Sequence, residues 1–191
     1  MSPQDTIRAY IQTHEGGYSN DPVDRGNYHH GALIGSKYGV TGDVLASFRG
    51  VPAVTAADII NLSLDEAVQI GLKLFYRGPH LDLLLWNHVT ASVLDMCWGA
   101  GPVQGVKLLQ RCAGAADDGQ CGPGTAAAYA AWITRVGESA AAQAYADARN
   151  HFYAQICLIH PENNRFLKGW QNRSNSFLPA SPWWQQWSAA A

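Results

Sequence analysis

Apolar residues recur at helical spacing through most of the chain. Ile7, Tyr10, Ile11 and His14 lie on one face of a first predicted helix over residues 3–14. Similar stripes, with capping signals, predict helices over 63–77, 90–98, 103–112, 123–136, 138–159 and 162–177. Only residues 18–41 lack this spacing. We therefore expect a mainly α fold of the α+β kind, with one small β-hairpin lobe.

Glu15 stands at the end of the first predicted helix. Gly16-Gly17 stops that helix and places Glu15 in its last turn. There the negative end of the helix dipole and any burial both disfavour the ionised carboxylate, so we expect its pKa to be raised. A carboxylic acid that stays protonated near neutral pH is what a glycosidase needs as its general acid. The alternative interpretation is an ordinary surface glutamate at a helix end.

Composition limits the class of protein. The 191 residues are 47% apolar and include seven Trp and eight Tyr, which predicts one compact domain or two small lobes and argues against disorder. The net charge of −2 gives no reason to expect binding to nucleic acid or anionic lipid. No apolar run approaches the roughly 18–20 residues of a membrane span, and the N-terminus lacks a signal-peptide pattern. We therefore expect synthesis in the cytoplasm without a membrane anchor.

Cysteine and histidine positions predict neither a disulfide framework nor a metal site. The cysteines at 97, 112, 121 and 157 form no CxxC pair, so buried free thiols are expected. Cys112 and Cys121 flank a glycine-rich turn and could meet. His29 and His30 are adjacent, which on a strand would point them to opposite faces, and the sequence contains no HExxH motif. We expect no metal and no cofactor.

The segment after the first helix carries a long motif. It reads Glu15-Gly-Gly-Tyr-Ser-Asn-Asp-Pro-Val-Asp-Arg-Gly26 and continues with Lys37-Tyr-Gly-Val-Thr41. This resembles the glycoside hydrolase family 108 muramidases, peptidoglycan-cleaving enzymes of phages and bacteria, whose signature runs EGGY-x-NDP-x-D-x-G and then YGIT. The resemblance implies a lysozyme-like fold and cleavage of the glycan strand of the cell wall.

The order Glu15, Asp24, Thr41 is also similar to the catalytic triad of phage-type lysozymes. In those enzymes the acid ends a helix and the other two residues lie on a following β-hairpin. Asp24 could activate water, stabilise the oxocarbenium-like state or attack directly, and Asp21 is its rival. Both aspartates also fit ordinary turn chemistry. Thr41 could hold the attacking water, or be simply a β-branched strand residue.

The sequence departs from the family within the hairpin. Residues 27–37 form an insertion, whose length costs little because the entropy of loop closure grows only logarithmically. Gly31 and Gly35 indicate turns inside it. Tyr18 and Tyr38 flank the hairpin and are candidates to line the glycan cleft, with core packing as the alternative.

The second half also resembles this family, in the predicted peptidoglycan domain that follows its catalytic segment. The matching stretches run Leu94-Asp-Met-Cys-Trp-Gly-Ala-Gly101, Leu108-Leu-Gln110, Asp118-Gly-Gln-Cys-Gly-Pro-Gly-Thr125 and Gly169-Trp-Gln-Asn-Arg173. Trp98 and Gln110 are candidate substrate contacts, although Cys97 and Trp98 replace the usual polar residues. We expect a catalytic lobe at 1–88 and a helical lobe at 89–191, with both lobes in one compact lysozyme-like unit.

These observations together predict an endolysin. We expect an N-acetylmuramidase that acts as a monomer on peptidoglycan glycan strands, in the periplasm or outside the cell. Because the N-terminus shows no signal-peptide pattern, we expect delivery through a holin pore and a role in phage release. The alternatives are a lytic transglycosylase on the same fold and a non-enzymatic wall-binding or secretion-assisting protein.

Overall fold

A computed structural model describes residues 1–188, and their regular structure is helical apart from one short hairpin. The mainly α, lysozyme-like fold class is thus confirmed. Contacts between Cα atoms divide the chain into two compact units, Ser2–Leu74 and Phe75 onward together with Met1. The division falls within a π-helical stretch, Gly71–Arg77. Each unit is described by itself.

Four α-helices build the first unit. They are α1 (Pro3–His14), α2 (Gly42–Arg49), α3 (Ala56–Ile60) and α4 (Leu64–Ile70). α1 has the predicted bounds and the predicted capping box between Ser2 and Asp5. α4 packs against α1 and α2, and its Asp65 pairs with Arg8 of α1 at 2.6 Å. The buried apolar side chains of this unit include Ile7, Ile11, Leu45, Ile59 and Ile70.

The hairpin consists of β1 (Tyr28–His29) and β2 (Ala32–Leu33), paired antiparallel with Tyr28 opposite Leu33. His30 and Gly31 connect the strands with φ of 50° and 81°, the two positive values that a two-residue type I′ turn requires. A second tight turn follows, where Lys37 bridges to Val40 around two further residues of positive φ, Tyr38 and Gly39. The turn predicted at Gly31 is therefore confirmed, whereas the second tight turn lies at Tyr38 and Gly39, just after the insertion, and not at Gly35.

His29 attaches this hairpin to α2. Its side chain is 5% exposed, and the backbone N–H of Val54 donates to its Nε2 at 3.3 Å. Because Nε2 accepts, Nδ1 carries the proton and donates to Asp43 Oδ1 at 2.6 Å. A Cβ on Gly42 would lie only 2.7 Å from His29 Cβ, so α2 begins in close contact with the strand.

The second unit is a helical assembly around α5. It contains α5 (His88–Ala100), α6 (Pro102–Ala113), α7 (Pro123–Val136), α8 (Glu138–Ile159), α9 (Asn164–Ser176) and α10 (Pro182–Ser188). α5 packs against α6 and α8, and it is buried continuously from Val89 to Cys97. The predicted bounds of α7 and α8 are confirmed, and those of α5, α6 and α9 are within two residues. α10 was not predicted.

A buried ionic network joins three of these helices. Arg149 of α8 is fully buried, donates to the Asp95 carboxylate of α5, and donates to Ser92 Oγ at 2.8 Å. Arg173 of α9 donates to the same carboxylate, at 3.1 Å from Nε to Oδ1. Two guanidinium groups therefore converge on one buried carboxylate.

The four cysteines are free thiols, as predicted. Cys97, Cys121 and Cys157 are buried, and Cys112 is half-buried. Cys97 Sγ lies against α6, where a Cβ on Gly105 would come within 2.6 Å of it. These thiols fill space between helices, and Cys112 does not pair with Cys121.

Candidate active site

Glu15 lies directly after α1. Its backbone is extended, with φ −101° and ψ 132°, and its N–H donates to the Ile11 carbonyl at 3.1 Å. Glu15 is thus the C-cap residue, whereas the sequence had placed it in the last turn of the helix. The side chain is half-buried, and burial raises the pKa of its carboxyl to about 7. The predicted direction of the shift is therefore present, with burial as its cause.

Tyr10, which the spacing placed only on the apolar face of the first predicted helix, contacts Glu15 directly. It is 3% exposed, and its hydroxyl donates a hydrogen bond to Glu15 Oε1. This hydrogen bond therefore orients one carboxyl oxygen of Glu15. The separation of five residues follows no helical pairing pattern, so the sequence contained no signal for this contact.

The second tight turn of the hairpin is joined to the residue after Glu15. The N–H of Tyr38 donates to the Gly16 carbonyl at 3.2 Å. Tyr38 adopts a φ of 56°, which is uncommon for an aromatic residue, and its half-buried ring has Lys37 Nζ at 5.2 Å from its centroid. The structure therefore places Tyr38 beside the segment that carries Glu15.

Tyr18 is held on the hairpin. Its hydroxyl donates to the Ile34 carbonyl at 3.2 Å, and a Cβ on Gly35 would lie 2.5 Å from its ring. Ser19 and Ser36 exchange backbone hydrogen bonds next to it, at 2.8 and 2.9 Å. The ring remains 39% exposed. Tyr18 thus has both a packing contact and a face accessible to a ligand.

Asp21 and Asp24 each close an Asx turn. Asp21 Oδ1 accepts from the Val23 N–H at 2.9 Å, and Asp24 Oδ1 accepts from the Gly26 N–H at 2.8 Å. Both side chains are exposed, and Asp24 caps the 3₁₀ helix Arg25–Asn27. Asp24 precedes the hairpin, whereas the resemblance to phage-type lysozymes had implied a position on it.

Thr41 follows the hairpin and is the N-cap residue of α2. Its hydroxyl accepts from the Val44 N–H at a long 3.5 Å. Thr41 is therefore not on a strand, the alternative that the sequence had left open, because α2 begins at the next residue. A Cβ placed on Gly26 would lie 3.2 Å from Asp24 Oδ1 and 3.4 Å from Thr41 Cγ2. The structure thus brings Asp24 and Thr41 together around Gly26.

Trp98 and Gln110 belong to the second unit. Trp98 is half-buried near the end of α5 and packs on Phe75, with ring centroids 4.9 Å apart. Gln110 is 1% exposed, its Nε2 donates to Asp118 Oδ1 and Thr125 Oγ1, and its Oε1 accepts from the Gly119 N–H at 2.8 Å. Both the nitrogen and the oxygen of its amide therefore form hydrogen bonds inside the protein. Gln110, which was predicted to contact substrate, instead supports the 117–122 loop.

Within the described residues 1–188, no group of three His, Cys, Asp or Glu side chains is arranged to hold a metal ion. Nor does any described helix combine the length and the apolar character needed to cross a membrane.

Comparison with known proteins agrees with the motifs. Residues 8–101 match the family model described as Glycosyl hydrolase 108, and residues 104–175 match the one described as Predicted Peptidoglycan domain. The fold is similar to the solved structure of Brucella abortus SagA, with a TM-score of 0.70 and 22% identity over 93% of this chain and 97% of that chain. No curated protein sequence matches the chain. The chain therefore carries a glycosyl hydrolase family 108 domain followed by a predicted peptidoglycan domain, and it is a glycoside hydrolase that acts on peptidoglycan.

Proposed function

We propose that this protein is an N-acetylmuramidase in which Glu15 is the general acid. It cleaves the β-1,4 bond between N-acetylmuramic acid and N-acetylglucosamine. The observation that carries the proposal is the environment of Glu15, a half-buried carboxyl that accepts from Tyr10 and whose pKa burial raises to about 7. Such a group keeps a large protonated fraction near neutral pH, as a proton donor to the leaving oxygen must.

Asp24 and Thr41 supply the second half of the chemistry. As the glycosidic bond breaks, Glu15 gives its proton to the leaving oxygen and positive charge develops at the anomeric carbon. Asp24 then either accepts a proton from the attacking water or stabilises that charge directly, and the Thr41 hydroxyl holds the water. Their proximity around Gly26 supports a shared role. The anomer released first from the substrate distinguishes inversion from retention.

Four further side chains are proposed to contact the glycan. Tyr18 and Tyr38 offer partly exposed rings on the hairpin, and Asp21 offers an exposed carboxylate before it. Trp98 offers a half-buried indole in the second unit. Aromatic rings that keep an accessible face suit the apolar faces of sugars.

The biological role that we propose is lysis of a host bacterium for phage release. A wall-cleaving domain joined to a peptidoglycan domain supports it. The enzyme, synthesised in the cytoplasm and acting as a monomer, would reach the wall through a holin pore. Expression in bacteria with and without a holin tests this role, because lysis should require the holin. Spontaneous lysis without one would argue for another route to the wall.

A lytic transglycosylase is the second candidate. It is favoured by the Asx turns of Asp21 and Asp24, which give both aspartates a structural role and leave Glu15 as the acid. Such an enzyme forms an anhydro sugar, whereas a hydrolase releases reducing ends. Mass spectrometry of the products from purified peptidoglycan separates the two activities. Asp24→Asn should affect the transglycosylase little.

Replacement of Glu15 by glutamine tests the assignment of the acid. We expect Glu15→Gln to fold normally and to lose about 10²–10⁴-fold in the release of reducing ends, the usual contribution of general acid catalysis. Glu162→Gln is a matched control, because the Glu162 side chain is 71% exposed and pairs only with His160 among the contacts described. If Glu15→Gln retained more than about a tenth of wild-type activity, Glu15 would not be the acid.

A further inference from the structure

Gly26 lies between two of the side chains proposed to act on the substrate. Its N–H donates to Asp24 Oδ1 at 2.8 Å. A Cβ built on it would be 3.2 Å from that same oxygen and 3.4 Å from Thr41 Cγ2. Asp24 and Thr41 therefore both approach the α-carbon of Gly26 from the side where any other residue would carry its side chain.

We propose that Gly26 is a positioning residue for the glycosidase reaction, whose bare α-carbon sets the separation between the Asp24 carboxylate and the Thr41 side chain. This inference rests on the proposed function, since it takes Asp24 and Thr41 as the groups that handle the attacking water. Gly26 itself touches no reacting atom and acts through these two residues, which do.

The backbone conformation of Gly26 does not itself require glycine. Its φ lies outside the positive range that L-residues rarely adopt, in contrast to Gly31 and Gly39 of the two hairpin turns. Gly26 is the middle residue of a short 3₁₀ helix, a conformation that most residues accept. What glycine provides at this position is therefore space between two side chains, rather than a turn.

The residues on both sides of this space, Thr41 and Asp24, are each held in place. Thr41 is fixed at the start of α2, which is pressed against His29 through Gly42. Asp24 is fixed by its Asx turn and by the Asp24 carbonyl, which accepts from the Asn27 N–H at 3.1 Å. An added methyl at Gly26 would displace the carboxylate by a few tenths of an ångström, because its contact with Oδ1 would be tight. Reacting groups tolerate such displacements poorly.

The test is a pair of compensating substitutions. Gly26→Ala adds a methyl that meets Thr41 Cγ2, and Thr41→Ser removes that methyl while it keeps the hydroxyl. On soluble glycan fragments we expect Gly26→Ala to lower kcat about tenfold with little change in KM, because positioning acts on the reacting geometry. The double variant should have a higher kcat than Gly26→Ala alone. A positive coupling of this kind between contacting residues is what a double-mutant cycle detects.

Controls separate positioning from folding. Gly169→Ala adds the same methyl where nothing lies within 4 Å, and it should keep wild-type kcat. All variants should unfold at the wild-type temperature. A kcat for Gly26→Ala above half of wild type, or a double variant no better than the single one, would overturn the inference.

A crystal structure of Gly26→Ala gives a readout that does not depend on activity. The Asp24 carboxylate should be displaced from its wild-type position relative to Thr41, and an unmoved carboxylate would overturn the positioning role even in an active enzyme. A wild-type protein that released no sugar products would instead overturn the proposed function, and the positioning role with it.

Discussion

At the scale of single residues, the surroundings of Glu15 at the end of α1 determine its chemistry. The carboxyl is half-buried and has a tyrosine donor, and burial raises its pKa to about 7. The sequence predicted the direction of this shift from the helix dipole and from burial. It could not supply the extent of burial, which depends on how the chain packs around the end of α1.

The raised pKa of Glu15 predicts how activity depends on pH. The acid works only when protonated, so kcat/KM should fall as pH rises through about 7. Because burial is the cause, Asp24→Asn should lower activity without moving this basic limb. The measurement is kcat/KM against pH on soluble glycan fragments at fixed ionic strength. A basic limb that moves downward by about one pH unit in Asp24→Asn would show that the charge of Asp24, and not only burial, raises the pKa of Glu15.

Tyr10, unlike Asp24, should influence the position of this basic limb. Its hydroxyl donates to Glu15 Oε1, and a donor to a carboxylate favours the ionised form. Tyr10→Phe removes the donor and keeps the ring in the core, so the basic limb should move to higher pH while kcat falls about tenfold from lost orientation. Tyr129→Phe, which also removes a buried hydroxyl but lies in α7, should leave the limb unchanged. An unmoved limb in Tyr10→Phe would mean that Tyr10 only fills space.

At the scale of elements, helices with clear caps and the presence of one small hairpin were predictable, but the start of α2 was not. Ser2 and Asp5 cap α1 as predicted, and α7 begins at Pro123 as predicted, because these signals are local. The start of α2 at Gly42 has no such box. It depends on the contact between Gly42 and His29, thirteen residues earlier, which no local pattern encodes.

Gly42 should therefore be a structural position. A Cβ there would lie 2.7 Å from His29 Cβ and 2.8 Å from Ile34 Cδ1, distances that require both to move. Gly42→Ala should lower the free energy of unfolding by about 1–3 kcal/mol, the usual cost of overpacking. Chemical denaturation measures this change, with Gly124→Ala as control because its added methyl meets nothing within 4 Å. Equal stability of the two variants would show that the contact relaxes without cost.

At the scale of the whole molecule, the motifs revealed the order of the two family domains, but they indicated only some residues of the candidate site. The motif singled out Glu15, Asp24 and Thr41 as candidates because it fixes their order along the chain. The roles proposed for Tyr10 and Gly26 depend on contacts that no periodicity marks. Gln110 was misassigned because a polar residue in a matching motif can serve a buried loop as readily as a ligand, and only its 1% exposure distinguishes the two.

The ionic network of the second unit provides the last prediction. Asp95 is the carboxylate on which Arg149 and Arg173 converge, and the side chain of Arg149 is fully buried. Asp95→Ala leaves two cations without this counter-charge, so the free energy of unfolding should fall by about 3–5 kcal/mol, the cost of breaking a buried pair by removal of one partner. Asp65→Ala is the control, because Asp65 is 80% exposed in its pair with Arg8 and such surface pairs contribute about 0–1 kcal/mol. Denaturant titrations of both variants decide the matter. A loss in Asp95→Ala no larger than in Asp65→Ala would mean that water reaches Arg149 and replaces the carboxylate.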